Sequence, residues 1–395
     1  MTQPPHKTQF AAVAVLVAAG MIAVGHVFKL APALPIMRQE LALGIVAAGW
    51  LFAIVNLMAA VTGVAAGALA DRFGPARLLL AGLLLALVAS AATALVPTAA
   101  VVFACRLLEG MGFLAVTVSA PSLMMRVTAV ADRPLVLSIW STYSPAGGAL
   151  ALLLAAPAMT VVGWHGVWLG LAALSAAAAV AVQMLGIKRS SPGAAPQRFL
   201  SNLAAVVRRP GPWCAAGSFA LYTIQYSALM AWLPSFLVEQ RQLPIATAGA
   251  LTAFVMAVNI SGNLLAGALL RRGVRHGMLI AAASLLMALC AVMIFTPLPD
   301  GVRYAGCALL SAVGGMLPAA VLAAAPHIAP SPGHIGTMNG MIVQGSNVGL
   351  LMGPPLLASL VAVTGRWEAG MGLFLATALA ATALGLRLNR VSARA

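Results

Sequence analysis

Charged residues are scarce in this chain, and their scarcity excludes a water-soluble protein. Asp, Glu, Lys and Arg together make up only 7% of the 395 residues, whereas hydrophobic residues make up 62%. A folded domain in water needs far more polar side chains than this to cover its surface. The composition therefore predicts an integral membrane protein.

Acidic residues and cysteines are rarer still, and many kinds of chemistry depend on them. The chain has 7 Asp and Glu residues and 4 Cys residues, and the cysteines fall inside apolar runs without the spacing of a metal or redox site. The sequence contains no Gly-rich phosphate-binding loop and no catalytic constellation. We therefore expect no enzyme activity, no cofactor, no metal site and no ATP drive.

Long polar stretches are also rare, and the apolar runs between them have the length of membrane spans. About twelve runs approach the ~20 residues that a helix needs to cross ~30 Å of hydrocarbon. The prediction is an all-α polytopic membrane protein with twelve transmembrane helices. The runs lie at 10–36, 43–69, 78–96, 98–123, 134–160, 164–185, 213–237, 244–269, 277–296, 302–326, 335–362 and 367–387.

The formal net charge of +15 is large, but it is spread along the chain. The Lys and Arg residues form no basic patch interleaved with aromatics, so nucleic acid is not expected as a partner. Most of them lie in alternate connections, whereas the opposite connections hold only Arg38, Arg241, Arg303 and Arg366. By the positive-inside rule, we expect cytoplasmic termini and a multi-pass position in a bacterial-type inner membrane.

A polar segment halfway along the chain divides the apolar runs into two sets of six. Residues 186–212 are rich in Ser, Pro, Gly, Lys and Arg, which predicts a cytoplasmic linker. "GVAAGALADRFG" and "GNLLAGALLRRG" align at an offset of about 200 residues, matching Gly67 with Gly267 and Arg72 with Arg272. The repeat predicts two pseudo-symmetric six-helix bundles, at 1–185 and 213–395, with substrate handled where they meet.

Two short motifs resemble those of a transporter family. "GALADRFGPAR" (67–77) is similar to the loop signature after the second helix of the major facilitator superfamily, and "RLLEGMG" (106–112) resembles its fourth-helix motif. The resemblance implies a monomeric secondary transporter that works by alternating access. It also implies a gating role for Asp71, Arg72 and Arg77, which would form a cytoplasmic charge lock.

Three further stretches resemble one branch of that family. "LEGMGF", "STYSPAGGAL" and "NGMIVQGSNVGLLMGPP" are most similar to the branch that includes cyanate permease and related small-anion carriers. The signature of drug exporters has a Gly-Pro pair followed by two residues and Gly-Gly. Here only one residue separates Pro145 from Gly147 and Gly148, and this departure from the signature disfavours drug export.

Three charged residues lie well inside the apolar runs, away from the run ends, where a charge is costly unless it faces protein or water. Lys29 and Arg106 each lie roughly 10 Å from the outer membrane edge at ~1.5 Å per residue, and Glu109 follows Arg106 by one helical turn. Two cations against one carboxylate leave a net positive site that an anionic ligand would ease. We interpret Lys29 and Arg106 as an anion clamp and Glu109 as the carrier of a coupling proton.

Two plainer interpretations of these charges stay open. Arg106 and Glu109 could form a structural pair within one helix, and Lys29 could extend to the membrane edge. Every third span is almost purely apolar and is expected to face lipid. Polar residues on the other spans are further candidates for substrate contact: Tyr143, Tyr222, Gln225, Tyr226, Gln344 and Asn347.

The leading functional prediction is proton-coupled uptake of a small organic or inorganic anion. Its partners would be the anion, protons and the lipid bilayer. The first alternative is a proton-driven exporter of drugs or metabolites, although the first two spans contain no acidic residue to support it. The second is a non-transporting membrane sensor, which would predict a long soluble appendage.

Overall fold

A computed structural model of the chain describes residues 7–62, 74–186, 199–331 and 334–392. Every regular element in these ranges is helical, which confirms the all-α prediction. Short 3-10 turns lie at Ile54–Asn56, Val130–Asp132 and Trp367–Ala369. The α-helices are α1 (Phe10–Phe28), α2 (Leu30–Glu40), α3 (Ile45–Ala53), α4 (Pro75–Leu95), α5 (Ala99–Val127), α6 (Arg133–Ser141), α7 (Tyr143–Met184), α8 (Phe199–Val207), α9 (Pro210–Arg241), α10 (Ile245–Ala257), α11 (Asn259–Arg271), α12 (His276–Phe295), α13 (Asp300–Gly314), α14 (Met316–Ile328), α15 (Ile335–Thr364) and α16 (Gly370–Ser392).

Within the described ranges, 10 segments are long and apolar enough to cross a membrane. One of them, α7, consists of two helices joined at Gly163, where φ is 66° and ψ is 173°. A further helix, α9, has 32 residues and is also long enough to span the hydrocarbon. The twelve apolar runs therefore coincide with helices, apart from residues 63–69 of the second run, which lie outside the described ranges.

The first membrane segment is interrupted at Lys29. α1 ends at Phe28 and α2 begins at Leu30, and Lys29 stands between them with φ −54° and ψ −28°. Pro32 lacks the N–H that would bond to the carbonyl of Phe28, and its ring crowds that carbonyl, so an even helix cannot run through this turn. The interruption leaves Lys29 within a segment that is buried on both sides.

The chain packs as two compact units that interleave along the sequence. The first unit takes the described residues of 1–43, 65–196 and 234–253, and the second takes those of 44–64, 197–233 and 254–395. In the first unit, α1 packs against α5 and α7, and α4 packs against the same two helices. α4 and α5 approach closely at Gly82, where glycine is required because an added Cβ would lie only 2.7 Å from the carbonyl oxygen of Gly112.

Two contacts of charged residues fasten one end of the first unit. Arg38 near the end of α2 forms an ion pair with Glu239 near the end of α9, with 3.0 Å between Nη1 and Oε1. The indole Nε1 of Trp164 donates to Glu40 Oε2 at 2.6 Å. These contacts join helix ends that are distant in sequence.

In the second unit, glycines on one face of α15 let it approach α9. Gly345, Gly349 and Gly353 follow each other at four-residue spacing, and a Cβ at Gly345 would lie 2.6 Å from the carbonyl oxygen of Ala216. Thr223 Oγ1 donates to the carbonyl of Ser346 at 2.9 Å across the same contact. Small residues at this spacing permit close helix packing in membranes. α3 also packs against α15, and α12 packs against α13, α14 and α16.

The predicted division into bundles at 1–185 and 213–395 does not coincide with the compact units. Residues 44–64 pack with the second unit because α3 lies against α15, and residues 234–253 pack with the first. The predicted linker, 186–212, contains α8 and the first residues of α9 in its described part. The two duplicated bundles stay a prediction of the sequence repeat.

Candidate functional site

A buried group of ionisable side chains lies in the first unit, around the interruption of the first membrane segment. Lys29, Arg106 and Glu109 are each 0% exposed, and His26 is 1% exposed. Arg106 and Glu109 come from α5, His26 from the last turn of α1, and Lys29 from the residue that follows α1. We call these four residues the ionic cluster.

The carboxylate of Glu109 bonds to both cations of the cluster. Lys29 Nζ donates to Oε1 at 2.7 Å, and Arg106 Nη1 donates to Oε2 at 2.7 Å. Arg106 and Glu109 are one helical turn apart, so α5 alone brings them together. Lys29 is 80 residues away in sequence and is placed by the packing of α1 on α5. Each carboxylate oxygen therefore faces one cation.

Arg106 also joins α5 to the end of α1. Its Nη1 donates to the carbonyl of His26 at 2.6 Å, and its Nη2 donates to the carbonyl of Val27 at 3.4 Å. Both carbonyls belong to the last turn of α1, where a helix end attracts positive charge. The interruption at Lys29 thus supplies acceptors for the neighbouring guanidinium.

The ammonium group of Lys29 has an acceptor for each of its protons. Besides Glu109, it contacts Ser90 Oγ at 2.6 Å and His26 Nδ1 at 3.1 Å. Nδ1 of His26 also lies 3.4 Å from Glu109 Oε1. Because the contact with Lys29 is shorter and an ammonium group only donates, we assign Nδ1 as an acceptor and place the ring proton on Nε2. Nε2 in turn lies 2.8 Å from Ser175 Oγ, to which it donates. With this assignment, His26 is the neutral tautomer protonated on Nε2.

Two serines and a tryptophan extend the cluster to α4 and α7. Ser90 of α4 accepts from Lys29 and donates to the carbonyl of Trp168 at 2.8 Å. The indole ring of Trp168 lies under the ammonium group, with 4.4 Å from Nζ to the ring centroid. Four helices of the first unit therefore meet around the side chain of Lys29.

The ionic cluster carries one excess positive charge, since His26 is neutral and a single carboxylate faces two cations. A buried charge is costly unless other groups compensate for it. Here the compensation comes from the two α1 carbonyls, Ser90 and the face of Trp168. If Glu109 were neutralised, two buried cations would be left without their shared counterion, and an anion in their place would restore the balance.

The other predicted substrate contacts lie outside the ionic cluster. In the first unit, Tyr143 stacks on Trp140, with 4.2 Å between the ring centroids. In the second unit, Tyr222 Oη accepts from Asn259 Nδ2 at 3.0 Å, and the ring of Tyr226 lies 5.8 Å from that of Tyr222. Gln225 is 1% exposed, and within the described residues its Oε1 has no hydrogen-bond partner.

Gln344 and Asn347, both on α15 in the second unit, bond to backbone carbonyls. Gln344 Nε2 donates to the carbonyl of Ala60 at 2.8 Å, and Asn347 Nδ2 donates to the carbonyl of Val343 at 2.8 Å. The first bond joins α15 to the end of the second membrane segment. Their role as substrate contacts stays a prediction.

Of the predicted gating residues, Asp71 and Arg72 lie outside the described residues. Arg77 is exposed in the first turn of α4. Among the residues that the structure describes, no group of three or more His, Cys, Asp or Glu side chains is placed to hold a metal ion.

Sequence reasoning gave little weight to the neutral members of this site. His26 lies one turn before Lys29, and that spacing is the signal that could have placed it in the cluster. Ser90 and Ser175 belong to the third and sixth spans, which were expected to face lipid. Each is 0% exposed and faces the interior of the unit. A serine on an otherwise Ala- and Leu-rich helix was the available signal.

The sequence profile of the Major Facilitator Superfamily matches residues 11–343 of the chain. Because the match covers most of the sequence, the chain belongs to the Major Facilitator Superfamily. This finding confirms the family resemblance and identifies the protein as a multi-pass membrane transporter. The cyanate permease branch stays a prediction. A search of curated proteins finds no match to the chain.

Solved transporter structures share the fold over nearly the whole chain. A bacterial homolog of the human lysosomal transporter Spinster, in an inward-facing and unoccupied conformation, has a TM-score of 0.77 at 13% sequence identity and covers 98% of this chain and 97% of its own. A D-xylose-proton symporter has a TM-score of 0.73 at 14% identity and covers 96% of this chain and 97% of its own. At these identities the likeness concerns the fold.

Proposed function

We propose that this transporter carries a small organic or inorganic anion together with a proton, by alternating access. The observation that supports the proposal most directly is the position of Glu109, 2.7 Å from Lys29 and 2.7 Å from Arg106 in a fully buried place. The carboxylate occupies the place of an anionic ligand. A proton on Glu109 would remove the negative charge that compensates Lys29 and Arg106.

The coupling follows from charge balance in the ionic cluster. When Glu109 is ionised, it satisfies Lys29 and Arg106, and a second anion would be repelled. When Glu109 is protonated, the two cations need another counterion, and the substrate supplies it. Proton binding and anion binding therefore favour each other, and this linkage is reciprocal. A carrier with such linkage moves both species in the same direction.

The direction and setting of transport are part of the same proposal. The distribution of Lys and Arg supports cytoplasmic termini in a bacterial-type inner membrane, and the proton gradient there would drive uptake. We propose that the protein acts as a monomer, with Asp71, Arg72 and Arg77 as a gate on the cytoplasmic side. The substrate would resemble the small anions of the cyanate permease branch.

The predicted contacts in the second unit differ in how free their side chains are. Gln344 and Asn347 already donate to backbone carbonyls, and Tyr222 accepts from Asn259. Gln225 has an unused oxygen, and its amide can turn to present its NH2 group to an anion instead. Of these residues, we propose Gln225 as the one whose side chain is most available to contact substrate.

Thermal stabilisation of the purified protein tests the substrate class. A ligand that binds the folded state raises the apparent stability by mass action, by ~2.7 kcal/mol at a hundredfold excess over Kd. The panel contains small carboxylates, cyanate-like anions and lipophilic cations. The variants are Lys29→Gln and, as a matched control, Arg38→Gln, which removes an ion-paired cation from the same membrane segment.

We expect at least one small anion to stabilise the wild type and Arg38→Gln but not Lys29→Gln. Stabilisation by the anion in all three proteins would show that Lys29 is not needed for anion binding. The absence of any stabilising anion would overturn the proposed substrate class.

Export of larger organic metabolites or drugs is the second candidate function. The aromatic rings of Phe219, Tyr222 and Tyr226 lie in sequence along α9, with centroid distances of 6.1 Å and 5.8 Å, and such a row favours an organic body over an inorganic ion. This candidate predicts that lipophilic cations, rather than small anions, stabilise the wild type and both variants alike.

A further inference from the structure

A basic cavity lies in the second unit, where α9 begins and α16 ends. Its volume is 330 Å³, and its walls include Arg208, Arg209 and Arg387 together with Trp213 and Leu384. Pro210, the first residue of α9, also lines it, so the N-terminal end of a 32-residue helix adds to the positive potential. We call this the arginine cavity. It shares no residue with the ionic cluster.

The described residues of the second unit provide no ion-pair partner for the three arginines. The sequence of the second unit contains only two acidic residues, Asp300 and Glu368. Asp300 begins α13, and Glu368 lies just before the start of α16. Arg387 lies near the other end of α16, ~26 Å from its first residue at 1.5 Å per residue. In the described part of the chain, none of the three arginines forms an ion pair. All three side chains are exposed, so their positive charge is open to an anionic ligand.

The cavity combines this charge with apolar surface. Trp213 is 57% exposed, and its indole Nε1 donates to the carbonyl of Val207 at 2.8 Å, which holds the ring at the start of α9. Leu384 and Val207 complete the apolar part of the wall. Tryptophan beside arginine is typical of the headgroup level of a membrane, where one side of a group meets phosphate and the other meets acyl chain.

We propose that the arginine cavity binds the phosphate of an anionic glycerophospholipid from the surrounding leaflet. The guanidinium groups of Arg208, Arg209 and Arg387 would hold the phosphate oxygens through paired hydrogen bonds. Trp213 and Leu384 would contact the glycerol and the first acyl carbons. Basic pockets between membrane helices on the cytoplasmic side suit such headgroups, and the positive-inside rule predicts that side for these arginines. The apolar wall favours a lipid over free phosphate.

The test is the thermal stability of the delipidated full chain in neutral detergent. Three additions are compared: phosphatidylglycerol, phosphatidylcholine and inorganic phosphate. The test variant is Arg208→Gln, Arg209→Gln and Arg387→Gln combined, and the matched control combines Arg271→Gln, Arg272→Gln and Arg275→Gln, which removes the same charge elsewhere in the second unit. We expect phosphatidylglycerol alone to raise the melting temperature of the wild type and the control, and to leave the test variant unchanged.

Two results would overturn the proposal. An equal shift with phosphatidylglycerol in the test variant would place lipid binding elsewhere, and an equal shift of the wild type with inorganic phosphate would make the cavity a free-anion site.

A second variant, Trp213→Phe, keeps all three charges and covers the case in which the triple variant does not fold. Phosphatidylglycerol with brominated acyl chains should quench the fluorescence of the wild type more strongly than that of Trp213→Phe, because the variant lacks the indole that the bound lipid would contact. Equal fractional quenching in the two proteins would contradict a lipid at this cavity.

Discussion

Among individual residues, Glu109 controls the charge balance of the first unit. Its two oxygens each accept from one cation, and none of the three groups reaches solvent. Loss of either cation leaves a pair of opposite charges, whereas loss of the carboxylate leaves two like charges. The three substitutions are therefore not equivalent, although all of them break a buried ion pair.

The first prediction compares Glu109→Gln with Lys29→Gln. We expect Glu109→Gln to lower the free energy of unfolding by about 3–5 kcal/mol, because it leaves two uncompensated buried cations. Lys29→Gln should cost less, because Arg106 and Glu109 still neutralise each other and Gln can still donate to Ser90. Unfolding in mild detergent measures both. A larger loss for Lys29→Gln than for Glu109→Gln would contradict the assigned charge balance.

Sequence reasoning reached the charged residues of the site but not their neutral partners. Lys29, Arg106 and Glu109 stand out because charges are rare in apolar runs, and a local rule about cost identifies them. Ser90 and Ser175 are ordinary in composition, and their roles depend on contacts 61 and 149 residues away in sequence. Such pairings arise from helix packing, which no local pattern encodes. The anion and proton roles stay predictions.

At the scale of the helices, the positions where membrane segments are interrupted have identifiable causes in the sequence. Pro32 explains the interruption at Lys29, and Gly163 allows two helices to follow each other without a loop. The sequence identified the apolar runs because length and hydropathy alone define a span. It did not predict α8, because that short helix lies in a polar segment that was expected to be a linker.

The second prediction concerns Gly163. Its φ of 66° with ψ of 173° belongs to a region that residues with a Cβ rarely occupy, while nothing lies within 4 Å of an added Cβ. Gly163→Ala should therefore cost ~1–3 kcal/mol through backbone strain alone. Gly170→Ala, on the same helix and also free of neighbours, should be neutral or stabilising. Thermal unfolding of the two variants side by side checks this, and equal effects would contradict the strain argument.

The third prediction concerns the ion pair of Arg38 and Glu239. Single reversals, Arg38→Glu or Glu239→Arg, place like charges at 3.0 Å, and the double reversal restores the pair. Both side chains are partly exposed, so we expect a coupling energy of only ~0.2–1 kcal/mol in a double-mutant cycle. The same cycle at Arg303 and Glu368, which lie 4.0 Å apart, should give less. A coupling energy near zero for Arg38 and Glu239 would show that their ion pair does not contribute to stability.

At the scale of the whole molecule, composition predicted a membrane protein, and the duplicated loop together with the family resemblance predicted a transporter fold. Scarce charge, twelve apolar runs and a duplicated loop all depend on counts and spacing, and the superfamily match confirms what they indicate. The interleaving of the two compact units was not predictable in this way. It depends on α3 packing against α15, a contact between segments about 300 residues apart that glycines and prolines permit.

The central claim is that one site couples anion binding to protonation of Glu109. The most direct measurement is the number of protons that the purified protein takes up from a weakly buffered solution when a stabilising anion binds. We predict uptake of about one proton per anion in the wild type near neutral pH and none in Glu109→Gln, which should still bind the anion. Anion binding without proton uptake in the wild type, or unchanged uptake in Glu109→Gln, would contradict the account.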